Sequence, residues 1–261
     1  MSVFKTATIE ILDSVLPDRI KNSILHLAFN LAPAEFERFA YKFSFAPHMK
    51  FGLTAIAMRG FAPMTIIDVG AFEGRWSRIA KQTWPASHLV MIEPNASKQQ
   101  GLVDVAKALD ANLFCDLLGA ENGRTVIFNV MGSGSSVMSE RSGLSRTTEA
   151  RRLRTLDSLL EDVRPPGLLK IDAQGYELEI LRGASRVLPA FEAVLLEIAV
   201  IEINEGAPLL HEVIAFMKSL GFVTYDILEI HRRPLDGALN QVDIIFVREQ
   251  SDLIADKRHF V

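Results

Sequence analysis

Cysteine is nearly missing from this chain: 261 residues contain one, Cys115. A single thiol cannot close an intrachain disulfide or build a cysteine-rich zinc site, so the fold must rest on its core, in a reducing compartment. Cys115 itself reads as a small buried hydrophobe near a strand end. Positive charge is not in surplus, with 28 Lys and Arg against 32 Asp and Glu for a formal net charge of -4. Neutralising a phosphate backbone needs the opposite balance, which argues against nucleic acid as the main partner. Long apolar runs are lacking too: Glu10, Asp13, Asp18, Arg19 and Lys21 interrupt the first thirty residues. Neither a secretory signal nor a transmembrane segment is expected there, and the chain reads as cytoplasmic.

What is present is ordinary globular composition, 49% hydrophobic and 23% charged, enough for a sizeable core. Ile9, Leu12, Leu16, Ile20, Ile24, Leu27 and Leu31 recur at three or four, a helical stripe divided by Pro17 and Pro33. This sets a helical extension over residues 1–62, suited to packing on the main domain or on a second subunit in a homodimer; its mixed charge argues against a membrane-surface helix. From Thr65 the texture changes to short apolar runs separated by helical patterns, the mark of a parallel sheet wound with helices. Strands are expected at 65–69, 89–93, 112–118, 168–172 and 193–198. Helices are expected from near Gly74, Ala96 and Gly175, and over 208–220 before Gly221. Runs 223–230 and 242–247, joined through Arg232, Arg233, Pro234, Asp236 and Gly237, are spaced for an antiparallel hairpin. The expectation is a doubly wound α/β domain over 63–250, with a tail at 251–261.

In Ile66-Ile67-Asp68-Val69-Gly70-Ala71-Phe72-Glu73-Gly74, a buried strand runs into a glycine-bearing turn and then a helix. Gly70 and Gly74 would let backbone approach a ligand, and the helix start offers free N–H groups. Asp68 lies at the strand's carboxyl end, where open α/β sheets bind ligands. About 25 residues on, Glu93 ends the next apolar run, near the spacing at which an acidic side chain accepts from ribose hydroxyls. A nicotinamide dinucleotide would need Gly-x-Gly-x-x-Gly here, but positions 72 and 73 are Phe and Glu. Glu73 would repel a pyrophosphate yet suit the positive sulfonium of S-adenosylmethionine.

These residues resemble the FkbM-type methyltransferases over about Phe61 to Arg248. The resemblance is carried by Asp68-Val69-Gly70-Ala71 with Gly74, Glu93-Pro94, Gly134-Ser135-Ser136 and Arg154-Thr155-Leu156-Asp157. It continues in Lys170-Ile171-Asp172-Ala173-Gln174-Gly175-Tyr176-Glu177 with Gly183-Ala184, and in Gln241-Val242-Asp243-Ile244-Ile245-Phe246. The block beginning at Lys170 is the specific one. The resemblance implies the Rossmann-like seven-stranded methyltransferase sheet with its C-terminal antiparallel hairpin, and S-adenosylmethionine as cofactor. It places Asp68, Gly70 and Gly74 at the methionine end, Glu93 at the ribose, and Asp116 with Leu117 at the adenine edge, with Ala71 also in the cofactor site. It also implies O-methylation of a small-molecule acceptor, glycosylated, sugar-like or a natural product. Gln174 stands where many relatives carry Glu, and Asn204 where many carry an aromatic residue.

From the residues themselves, Asp172 is the candidate for chemistry: it ends an apolar strand facing the cofactor crevice, and methyl transfer to oxygen needs the acceptor aligned and one proton removed. Glu177 and Glu197 are the other candidates; Glu177 equally suits a first-turn carboxylate that stabilises its helix. Lys170 has an ordinary reading as a strand residue whose ammonium snorkels. Direct base work by Asp172 ranks above a metal held with Glu197 and Asp243, and no metal site is expected. His211 and His231 read as packing or surface residues, with His231, in the hairpin connection, nearer the acceptor. Residues 132–154 read as a hydroxyl-rich loop followed by Arg141, Arg146, Arg151, Arg152 and Arg154, either a lid for a phosphate-bearing acceptor or a solvated face paired with Glu140 and Glu149. A nicotinamide oxidoreductase and a non-catalytic binding protein on the same fold remain as alternatives.

Overall fold

Nearly every apolar run from Thr65 onward becomes a strand of one sheet. The computed structural model describes residues 48–259 apart from 133, 142 and 144, all within one compact unit, Pro47–Val261. The expected N-terminal stripe from Ile9 to Leu31 lies outside the described residues. Among these, no helix is long and apolar enough to cross a membrane.

The chain opens with α1 (Met49–Met58), then β1 (Thr65–Val69), α2 (Arg75–Thr83), β2 (His88–Ile92), α3 (Ala96–Leu109) and β3 (Ala111–Phe114). Strands β4 (Leu117–Leu118), β5 (Thr125–Val130) and β6 (Thr147–Arg154) follow, then the short α4 (Leu156–Leu159). The remainder is β7 (Gly167–Ile171), α5 (Glu177–Arg182), β8 (Phe191–Ala199), α6 (Leu210–Ser219), β9 (Phe222–Arg232) and β10 (Leu239–Arg248). Seven strands form one sheet in the order β3-β2-β1-β7-β8-β10-β9, parallel except for β10, which runs antiparallel to both neighbours. This is the doubly wound sheet with a terminal hairpin.

Strand alternation divides the core between the two faces. Ile67, Val69, Leu169 and Ile171 join one buried cluster, and Ile66, Leu168, Leu195 and Ile245 the other. α1 covers the second face beside β9, where a side chain at Gly52 would meet Leu228 Cδ2 at 2.4 Å. Residues of one parity along β1, β7, β8 and β10 therefore share a side, which aligns Asp68, Lys170, Glu197 and Asp243 near the carboxyl edge. Helix α3 begins at Asn95, whose Oδ1 accepts from the Ser97 N–H at 3.0 Å, an N-cap that fixes the turn after β2.

Four expectations are corrected. The single run 112–118 is two strands, β3 in the main sheet and β4 in a separate three-stranded sheet with β6 and β5. Cys115 lies in the bend between them and is exposed rather than buried. The loop expected over 132–154 stops before Thr147: Arg141 and Arg146 lie in it, but Arg151, Arg152 and Arg154 sit on β6, paired antiparallel with β5 from Thr125↔Arg152 to Val130↔Thr147. Its alternation Thr-Thr-Glu-Ala-Arg-Arg-Leu-Arg buries Leu153 alone, so the hydrophobic signal of a strand is nearly absent. His231 belongs to β9 rather than to the connection after it.

Candidate functional site

The tips of β1 and β7 touch. Gly70 leaves β1 with φ +78°, and a Cβ there would lie 2.0 Å from the Asp172 carbonyl oxygen, so no side chain fits. The Asp172 N–H donates to the Val69 carbonyl at 3.1 Å, continuing the ladder past the strand ends. Gly74, with φ +72°, faces inward instead: a Cβ there would meet Val105 of α3 at 2.7 Å. It serves close helix packing and the start of α2, not the crevice.

Between these tips and the small sheet lies a cavity, in the crevice at the carboxyl ends of the strands where open α/β sheets bind ligands. Its walls include Gly70, Phe72, Glu93, Asp116, Leu117 and Leu118 on one side. Asp172, Gln174, Tyr176 and Ile180 form the other, with Phe128, Ser135 and Ser136 closing it from the small sheet and its loop. Of the residues singled out from sequence, it thus brings together Gly70, Glu93, Asp116, Leu117 and Asp172. Asp68, Ala71, Gly74, Glu177 and Glu197 are not among its walls.

Glu93 is buried, its Oε2 accepting from the Phe72 N–H and its Oε1 from the Asn95 N–H, each at 2.8 Å. Burial pushes its carboxyl above the ordinary range, opposed by these two N–H groups and by Lys170. One carboxylate ties the turns after β1 and β2 together, and its remaining lone pairs can accept from a ligand. Phe72 takes φ +48° in that turn, a conformation uncommon for a non-glycine residue. Glu73 points away, pairing with Arg75 at 3.4 Å and Lys98 at 3.1 Å. Asp116 faces Arg154 at 3.5 Å.

Asp68 is fully buried behind the turn, accepting from Ser77 Oγ at 2.5 Å and lying 3.1 Å from Lys170 Nζ. Lys170 also donates to the Gly70 carbonyl at 3.1 Å and stands 3.4 Å from Asp172 Oδ2. Burial works against its charge, but Asp68 and Asp172 more than offset this and hold the ammonium above its ordinary value. Lys170 is therefore no snorkelling residue. Its signal was a lone lysine in an apolar strand, in register with Asp68 on the neighbouring strand.

Glu177, at the start of α5, accepts at Oε1 from the Ala173 N–H at 2.9 Å and the Gly175 N–H at 3.0 Å. Burial pushes it up to about 7, opposed by N–H groups including these two. It shapes the loop after β7. Within that loop Gln174 takes φ +52° and donates to Asp172 Oδ1 at 3.0 Å and Glu197 Oε2 at 2.5 Å, while Gln241 also donates to Glu197 Oε2, at 2.9 Å. A glutamate at 174 would have no N–H to give these two carboxylates. Burial, then Asp172 and Asp243, raises Glu197 well above the carboxylate range. Sequence reasoning missed this amide–carboxylate floor because its members come from three distant segments.

A doubly wound sheet of this strand order, with an acidic residue after β2 and a cavity at the carboxyl edge, is the framework of a Rossmann-like methyltransferase. The family model for the methyltransferase FkbM domain matches residues 68–224, more than half of the chain. The chain belongs to the FkbM methyltransferase family.

Among solved structures it is similar to a methyltransferase FkbM from Methylobacillus flagellatus KT, with 16% identity and a TM-score of 0.46 over 70% of this chain; the match spans 44% of that protein's length. It is similar to a precorrin-6y C5,15-methyltransferase from Geobacter metallireducens GS-15, with 15% identity, a TM-score of 0.43, and 76% and 86% of the two chains covered. A 1,6-didemethyltoxoflavin-N1-methyltransferase from Burkholderia thailandensis, solved with 1,6-didemethyltoxoflavin and S-adenosylhomocysteine, matches with 10% identity, a TM-score of 0.41, and 90% and 91% coverage. No curated protein matches the chain.

Proposed function

We propose that this methyltransferase takes its methyl group from S-adenosylmethionine and transfers it to a hydroxyl oxygen of a small, sugar-like acceptor. The observation that carries the proposal is the change of character along one carboxyl edge. A cavity with apolar walls and a buried acceptor, Glu93, sits beside a floor of carboxylates and amides that begins at Asp172. The cavity fits the donor: Glu93 retains acceptor capacity for ribose hydroxyls, Leu117, Leu118, Phe128 and Ile180 suit a flat base, and Gly70 allows backbone approach. Asp116 would meet the polar edge of that base. Bound there, S-adenosylmethionine supplies a methyl carbon already activated by a positive sulfur.

The protein then has to orient one hydroxyl and take up one proton. Asp172 is placed for both, with about a third of its side chain exposed and Lys170 and Gln174 fixing its two oxygens. Lys170 and Glu177 act through it, as positioning residues. Gln241, Glu197 and Asp243 continue the floor with groups that accept from or donate to several hydroxyls at once, which suits a polyol better than an apolar ring. Asp68 supports the turn from behind.

Isothermal titration with S-adenosylhomocysteine tests the donor half, with NAD in parallel. Stoichiometric binding of the first and none of the second is expected, and the reverse would restore the oxidoreductase reading. For the acceptor half, methyl transfer from labelled donor is screened over sugars, nucleotide sugars and glycosylated natural products. Asp172→Asn is expected to lower turnover on any acceptor found by about 10²–10⁴-fold with homocysteine-nucleoside affinity preserved. Undiminished turnover would remove Asp172 from the chemistry.

A further inference from the structure

Beyond Asp172 the floor continues toward the sheet's edge and changes composition. Asp243 on β10 is directly opposite Glu197 on β8 and opposite Glu229 on β9, so three carboxylates stand in a cross-strand row. Like charges directly opposite one another destabilise a sheet, and such a row calls for a compensating positive charge. Two residues past Glu229 on the same strand, His231 reaches into the row, its Nε2 lying 2.7 Å from Asp243 Oδ2. Register shifts in the β9–β10 pairing flank Asp243, between Leu239 and Gln241 and between Asp243 and Ile244. Such bulges re-aim side chains next to functional sites.

We propose that Glu229, His231 and Asp243 form a divalent-cation site at the acceptor end of the sheet. Their ligand atoms all lie within 4.8 Å of one another, Asp243 is buried, and the other two are partly exposed, so the site has a fixed base and an open mouth. One imidazole nitrogen and two carboxylate oxygens leave coordination positions free and favour a first-row ion such as Mn²⁺ or Zn²⁺ over Mg²⁺ or Ca²⁺. This ligand set differs from Asp172 with Glu197 and Asp243: Gln174 and Gln241 already engage Glu197, whereas the Nδ1 nitrogen of His231 makes no hydrogen bond among the described residues. The simpler alternative is that His231 and Asp243 only share a proton.

On the reading of the site given above, the ion would hold an acceptor oxygen and lower the pKa of its hydroxyl, with the proton leaving to Asp172. The existence of the site does not depend on that reading. The test is titration of the tag-free, full-length chain with Mn²⁺, followed by electron paramagnetic resonance, and with Zn²⁺ by calorimetry, at pH 7.5. One ion per chain is expected for the wild type, with affinity reduced about tenfold or more in Glu229→Gln, His231→Gln and Asp243→Asn. Glu73→Gln, a carboxylate removed elsewhere on the surface, should bind as the wild type does. Absence of a stoichiometric site, or three variants that bind unchanged, overturns the proposal. Should the buried Asp243→Asn fail to fold, the two partly exposed positions decide. Titration of the same samples with S-adenosylhomocysteine separates the readings: cation binding without nucleoside binding leaves this site standing and removes the donor assignment.

Discussion

The two halves of the sheet's carboxyl edge are built in different ways. On the β1–β2 side the backbone sets the shape: Gly70 and Phe72 take positive φ, and Glu93 ties two turns together by accepting from the Phe72 and Asn95 N–H groups. On the β7–β8–β10 side the shape is set by side chains that bond one another, Gln174 to Asp172 and Glu197, and Gln241 to Glu197. A backbone-built pocket tolerates little change in its turns but leaves most side chains free to vary. A side-chain-built floor can be rewritten one residue at a time, which suits one donor served to many acceptors.

The sharpest way to break the contrast is Gly70→Ala. The new methyl would meet the Asp172 carbonyl at 2.0 Å on a residue with positive φ, so a loss on the order of 5 kcal/mol or failure to fold is expected by urea denaturation. A stable, nucleoside-binding variant would show that the turn is not fixed by close approach. Next comes Lys170→Met, which leaves Asp68 buried without its cation; about 3–5 kcal/mol of stability should go, measured in the same way. A cost below 1 kcal/mol would mean that Lys170 does not link the halves.

The smallest effect concerns Glu177→Gln and is read as a slope. The folded carboxyl is raised to about 7 from an ordinary 4.5. Between those values the folded chain keeps a proton that the unfolded chain has released, so this residue's contribution is largest below 4.5 and is lost as pH rises through about 7. Glutamine keeps an acceptor for the Ala173 and Gly175 N–H groups, so the variant should fold while its stability declines less over that window. An unchanged slope would assign the titration to another group.

Much of this was legible in the sequence because both sheet faces are covered: strands such as Ile66-Ile67-Asp68-Val69 and Leu168-Leu169-Lys170-Ile171 announce themselves as apolar runs, and glycine punctuates their ends. Strands β5 and β6 were hidden by the same physics. They form a half-exposed ribbon in which Ile127 is open to solvent and Thr147, Thr148, Glu149 and Arg152 face outward. The acidic residues at strand ends were easy to name, but their duties were not. Asp68 and Glu93 each end an apolar strand, yet one supports the turn from behind while the other lines the cavity. That distinction depends on whether the side chain turns toward the helix layer or the crevice, and on Lys170, which arrives from a strand about a hundred positions later.

The contact between Gly70 and the Asp172 carbonyl has a mechanical consequence. Main chain packed this closely leaves little room to slide, so under the proposed function the turn after β1 and the Asp172 tip would move together when either ligand arrives. The spacing between methyl carbon and incoming oxygen would then be gauged by main chain on both sides, and evolution could exchange the acceptor without recalibrating the reaction distance.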